Sequence, residues 1–169
     1  MRTQIGTNRE EIVPMPYVIT GLDPAPYVPL FGEDEAALGE RRVHRMIADS
    51  DTGFPCRVTL ADAPKGAALL LLNHVSRTDD GPYRASHAIF VREDAREAAV
   101  YEAQVPPLMR RRLLSLRGFG GDGLMVDALL AQPGEADAGL RKLLDNPTIQ
   151  EVDVHTATRG CFLARARRA

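Results

Sequence analysis

Apolar residues along this chain come in short runs cut by proline- and glycine-rich turns, a pattern that predicts many short strands and few helices. YVIT at residues 17–20 reads as a first strand. GLDP at 21–24 then opens a proline-rich stretch, and EDEAAL at 33–38 predicts a short helix closed by Gly39. Residues 43–48 resume as strand, 49–53 form a turn, and 56–60 form a short extended segment. AALLLLN at 67–73 lacks any apolar–polar alternation, as a strand covered on both faces should. A polar loop over 75–86 leads into HAIFV at 87–91, a second apolar strand. Pro106 and Pro107 begin one helical turn, and strands over 113–119 and 124–130 join across the glycines at 120, 121 and 123. The clearest helix is 135–144, where Ala136, Leu140, Leu143 and Leu144 share one face and Asn146-Pro147 stops it. Residues 149–155 and 161–167 make a closing hairpin. Strands outnumber helices and do not alternate with them, so the expected fold is α+β: a single domain over 15–169 with an antiparallel or mixed sheet built from hairpins, carrying a few short helices.

The closing hairpin yields a geometric expectation. With TATRG at 156–160 as a five-residue loop, His155 opposes Cys161, Asp153 opposes Leu163 and Glu151 opposes Arg165, while Val154–Phe162 and Val152–Ala164 fill an apolar core face. Glu151 and Arg165 then form a cross-strand ion pair. Opposed Cβ atoms lie about 4.5–5.5 Å apart, close enough for the imidazole to lower the thiol's pKa and make it a nucleophile. The blander alternative is a small half-buried thiol beside a histidine that bonds the loop.

A second grouping lies at the other hairpin mouth, where His74 ends one strand and His87 begins the next. With His155, Cys161 and Cys56 these would suffice for a tetrahedral zinc or an iron site with open positions. No spacing supports it: the chain has neither C-x-x-C nor H-x-x-x-H, and no metal or other cofactor is expected. A third feature is arginine on loops and polar strand faces: Arg57, Arg84, Arg117 and Arg159. Leu114 and Leu116 mark the core side of their strand, so Arg117 shares the other side with Ser115. Converging guanidinium groups would hold a carboxylate or phosphate bidentately, whereas ordinary surface arginines would pair with Asp or Glu. The glycines at 118–123 lack the Lys-Ser/Thr and following helix of a phosphate loop, so they read as a turn.

Composition narrows the classes. The 169 residues fit one domain, and 44% hydrophobic content supplies a core. With 21 basic against 23 acidic residues, no net field favours nucleic acid or an anionic membrane. No Trp and few Tyr and Phe argue against a base-stacking platform. The longest apolar run is strand-sized, too short to span a bilayer. Residues 1–14 lack the apolar stretch of a secretory signal and read as a disordered extension or a leftover of expression, with Met15 as a second start. Two cysteines far apart, Cys56 and Cys161, do not make a disulfide framework, so a reducing cytoplasm is expected.

The strings GFPCRVTLADAPKGAALLLLNH (53–74), PYRASHAIFVRE (82–93) and HTATRGCF (155–162) resemble a bacterial family known only as domain of unknown function 1203. The resemblance runs from about Met15 to the C-terminus, including GLDPAPYVPLF and LRKLLDNP. Its motifs fall on Phe54, Pro55, Cys56 and Arg57; on Pro82, Tyr83, Arg84, Ser86 and His87; and on His155, Ala157, Arg159, Gly160 and Cys161. It implies that the three segments act together without naming an activity. Two functions follow. One is a small enzyme in which Cys161, His155 and His87 carry the chemistry and the four arginines hold an anionic small molecule, with Cys56, Tyr83 and Ser86 in the same cleft. The other is a binding or sensing module for such an anion, its cysteines structural. A homodimer built on these motifs stays open.

Overall fold

The computed structural model describes residues 16–169; the N-terminal extension expected at 1–14 lies outside the described residues. Among the described residues the architecture is mostly β, with 38% strand and 14% helix in two sheets and three short helices, an α+β arrangement. In chain order the elements are β1 (Tyr17–Thr20), α1 (Glu35–Glu40), β2 (His44–Ile47), β3 (Pro55–Cys56), β4 (Ala61–Asp62), β5 (Ala68–Arg77), β6 (Ala85–Arg92) and β7 (Val100–Glu102). They continue as α2 (Pro107–Arg110), β8 (Leu114–Phe119), β9 (Met125–Ala131), α3 (Ala136–Leu144), β10 (Glu151–Thr156) and β11 (Phe162–Arg168). One sheet runs β7-β1-β11-β10-β8-β9, and the other runs β2-β5-β6-β3-β4. The smaller sheet is mixed, because β3 pairs parallel with β6 through Cys56 and Phe90.

Helix α3 covers one face of the larger sheet. Leu140, Leu143 and Leu144 sit in one cluster with Leu116, Val152, Val154 and Ala164, every one of them at most 2% exposed. Gly139 permits this close approach, since a Cβ there would lie 2.7 Å from Leu116 Cδ1. The apolar β5 segment is buried on both faces: Leu70 and Leu72 join one core cluster, and Leu69 another. Its inner face, continued by His74, looks toward the face of the larger sheet opposite α3, where His74 meets the Phe162 ring at 5.9 Å. No helix among the described residues is long and apolar enough to cross a membrane.

Four local expectations need correction. Asp34 caps α1 by accepting from the Ala37 N–H, so the helix starts later than 33; it contains Gly39 and ends where Arg42 turns left-handed at φ 56°. Residues 57–60 are not extended. They form a turn in which the Leu60 N–H returns to the Cys56 carbonyl, sending Val58 and Leu60 into different cores. Strand β5 runs on through Arg77, shortening the polar loop to 78–84.

The fourth correction is register. The β10–β11 pairs are Glu151–Arg167, Val152–Ala166, Asp153–Arg165, Val154–Ala164 and His155–Phe162. A β-bulge between Val154 and His155 leaves Leu163 unpaired and turns Phe162 to the polar side beside His155. Cys161 precedes the strand and is not opposite His155. The expected Glu151–Arg165 ion pair exists at 3.5 Å, although Arg165 pairs more closely with Asp153.

Candidate functional site

The site lies where the polar face of β10 meets the inner face of β5 and β6. Pairing with β8 sets Asp153 beside Arg117 and His155 beside Ser115, while β11 contributes Arg165 and Phe162. All of these would be an ordinary wet sheet face if the smaller sheet did not cover them. Covered, Asp153 is fully buried and His155 is 3% exposed.

A second bulge brings the partner residues in. Val75 pairs with Ser86 and Arg77 with Ala85, leaving Ser76 unpaired, so Ser76 and Arg77 are both buried instead of alternating. The Arg77 guanidinium stacks on the Phe119 ring at 3.6 Å and reaches Glu151 and Asp153, each at 3.1 Å, and Asp79 at 3.2 Å. Its Nε–H is buried with no acceptor among the described residues. Asp153 also accepts from Arg165, which in turn donates to the Ser76 carbonyl at 2.7 Å. One carboxylate thus binds an arginine from each sheet.

The histidines follow from the same packing. His74 and His87 are register partners on β5 and β6. The His87 ring meets His155 edge to face at 5.0 Å, and its Nδ1 is 3.1 Å from Ser76 Oγ. His74 shares a hydrogen bond with Tyr27 OH at 3.1 Å. The His155 Nδ1 faces the Gly160 carbonyl at 3.0 Å; because a carbonyl only accepts, Nδ1 carries the proton and Nε2 is a bare acceptor. Burial pushes the His155 pKa down to about 4, with the Arg117 charge adding to the effect and the Gly160 bond opposing it. Burial also lowers His87 and His74; Arg117 adds to the former shift and Arg165 to the latter. All three imidazoles are therefore neutral near pH 7.

A cavity of about 200 Å³ opens here, lined by Ser76, Arg77, Pro82, Tyr83, Arg84, Ala85, Arg117, Phe119, Met125 and His155. Tyr83 forms one wall, edge-on to Phe119 at 5.6 Å. Arg84 donates to the Thr78 carbonyl at 2.9 Å and Arg117 to Ser115 Oγ at 3.2 Å. A neighbouring cavity of about 380 Å³, with His74, Phe162, Arg165 and Thr20 in its walls, also reaches Ser76.

The candidate residues divide. Tyr83, Arg84, Arg117 and His155 line the first cavity, and His87 lies against His155. Arg57 is buried elsewhere, donating to the Phe162 and Pro55 carbonyls, and desolvation lowers its pKa to about 10. Arg159 is exposed in the β10–β11 loop and does not line the cavity. Cys161 Sγ lies 3.9 Å from the Arg159 carbonyl, and no hydrogen bond among the described residues joins it to His155. Cys56 is fully buried, accepting from the Arg92 N–H; both thiols are free. Ser86 is exposed on the outer face of β6, bonded to Asn73. Sequence reasoning missed Ser76 and Arg77 altogether, and it took Asp153 for an ordinary strand-face residue. The available signal was the run HVSR, in which Ser and Arg follow a strand histidine without a turn residue between them. Among the described residues no three His, Cys, Asp or Glu side chains are grouped as a metal-binding set.

A family model described as protein of unknown function DUF1203 matches residues 53–168, more than half of the chain, and the chain belongs to that family. The match spans all three motif segments and leaves residues 15–52 outside it. No curated protein and no solved structure matches the chain.

Proposed function

We propose that this member of the domain of unknown function 1203 family binds a small anion, a carboxylate or phosphate, in the cavity between its two sheets. The observation that carries this reading is that Arg84 and Arg117 both line the cavity and neither has a carboxylate partner among the described residues, whereas Arg77 and Arg165 are neutralised by Asp153, Glu151 and Asp79. Two uncompensated guanidinium groups beside a tyrosine ring and a neutral imidazole suit a planar or tetrahedral oxyanion. Where the bound anion is a substrate, the imidazoles and not the thiols stand next to it. The same reading takes residues 15–169 as one folding unit, supported by the Arg57–Phe162 and Arg77–Asp153 ties between the sheets. It assigns the chain to the cytoplasm, in keeping with two free thiols. The partner is a small molecule, not nucleic acid or membrane.

The test is thermal unfolding against rising inorganic phosphate and acetate. A ligand specific to the folded state stabilises it by RT ln(1 + [L]/Kd), so Tm should rise with concentration. Arg117→Gln should weaken the apparent affinity about tenfold or more, the worth of a charge-assisted bond. Equal shifts in wild type, Arg117→Gln and Arg84→Gln would overturn the reading.

A further inference from the structure

The geometry points to a nucleophilic pair: we propose that Ser76 Oγ, with His87 as its general base, attacks the acyl carbon of a small ester whose anionic group is held by Arg84 and Arg117. This rests on the anion-binding reading for its choice of substrate but not for its chemistry. Three observations carry it. Ser76 Oγ lies 3.1 Å from His87 Nδ1, within reach of proton transfer. Ser76 is a lining residue of both cavities, so a molecule in either one lies against it. Ser76 continues the inward face of Leu70, Leu72 and His74, and the bulge turns the next residue, Arg77, to the same side, so that a hydroxyl and a guanidinium stand together where alternation would have set one of them outward.

The surroundings suit the step. His87 is held edge-on by the His155 ring, so its Nδ1 keeps its aim on the hydroxyl. The Ser76 hydroxyl has one proton and two acceptors in reach, the Ala85 carbonyl at 3.3 Å and the imidazole at 3.1 Å; the shorter contact is the productive one. In the reaction the Oγ–C bond forms as the proton moves to His87 Nδ1, and the carbonyl electron pair becomes an oxyanion. The imidazolium then returns its proton to the leaving alcohol as the C–O bond breaks. Water repeats the sequence on the acyl-serine, releasing the acid and restoring Ser76. The transient imidazolium feels Asp153 favourably and Arg117 and Arg57 unfavourably.

A phosphorofluoridate, diisopropyl fluorophosphate, tests the pair without needing the natural substrate, because the probe is neutral and reacts with an activated serine. Intact-mass and peptide mapping should find one adduct, on Ser76, absent in Ser76→Ala and formed about a hundredfold more slowly in His87→Gln. No adduct, an adduct on another residue, or an unchanged rate in His87→Gln would overturn the proposal. Should His87→Gln fail to fold, Ser76→Cys replaces it: iodoacetamide must then alkylate position 76 faster than Cys161 in the same molecule, and a slower reaction overturns the pair. Phosphate separates the two readings. Labelling that phosphate does not slow leaves the nucleophilic pair standing and removes the anion site, whereas absent labelling with an Arg117-dependent phosphate shift does the reverse.

Discussion

Strand β10 buries both of its faces, and the two are built from opposite chemistry. Toward α3, Val152 and Val154 are fully buried among Leu116, Leu140 and Ala164; toward the smaller sheet, Asp153 and His155 are buried among Arg77, Arg165, Arg117 and His87. Each buried valine contributes about 1.5–3 kcal/mol simply by leaving water. Burial of Asp153 has the opposite sign, and only its arginine partners offset the cost. The apolar face therefore holds the fold together, while the ionic face fixes how the two sheets meet and leaves a polar cavity there. Stability that an apolar interface would have added is absent from the second face, and chemistry takes its place.

The largest effect that separates the faces should come from Asp153→Ala. It removes the fully buried carboxylate of the two that Arg77 and Arg165 share, leaving them the less buried Glu151, and should cost about 3–5 kcal/mol in denaturant unfolding. Val154→Ala, one residue along and facing α3, should cost about 2–3 kcal/mol from lost burial and the cavity left behind. Equal costs would mean that the ionic face behaves as a polar copy of the apolar one.

The apolar face was the legible one. Lone apolar runs gave β1, β8, β10 and the amphipathic face of α3 almost to the residue, because burial against a single partner leaves a plain period in the sequence. The polar face was half legible: alternation put Arg117 with Ser115 and Glu151 with Asp153 and His155, as the β8–β10 pairing has them. The two bulges were hidden from that reasoning. An unpaired residue inside a strand leaves no compositional mark, so plain alternation counts Leu163 into the ladder, puts Phe162 on the core side and sets His155 against Cys161. Ser76 and Arg77 fall within the loop expected at 75–86 for the same reason. That a second sheet would cover this face was equally invisible, since Asp, His and Arg on a strand look solvated until a partner with matching charges is known.

Acid should weaken the ionic face in a way the apolar face cannot share. The His155 imidazole has an ordinary value of 6.5 and is held down to about 4 in the fold, chiefly by burial. A depressed base favours its neutral form in the folded state, so its contribution is complete above pH 6.5 and is lost as pH falls toward 4. Across that window the unfolded chain takes up a proton that the folded one refuses, and stability should fall by about 3 kcal/mol. In His155→Gln that part of the slope should vanish, while the lowered His74 and His87 leave a residual slope of the same sign. Parallel pH profiles for the two proteins would show that His155 titrates alike folded and unfolded.

The smallest expected effect sharpens the boundary of the ionic face. Arg159 belongs to the motif that ends β10, yet its side chain is exposed on the loop, and its one described contact is through its carbonyl to the Cys161 sulfur. Arg159→Ala should therefore change unfolding stability by no more than about 0.5 kcal/mol. It should also leave the phosphate-dependent rise in Tm intact, where Arg117→Gln reduces it. The loop gives the variant a way to fail: residues 157–160 are joined to the site through Gly160, whose carbonyl holds His155, so a loop that folded over the cavity on binding would carry the Arg159 guanidinium toward the anion. A phosphate response lost in Arg159→Ala, with stability unchanged, would extend the polar face beyond the two sheets to include the loop.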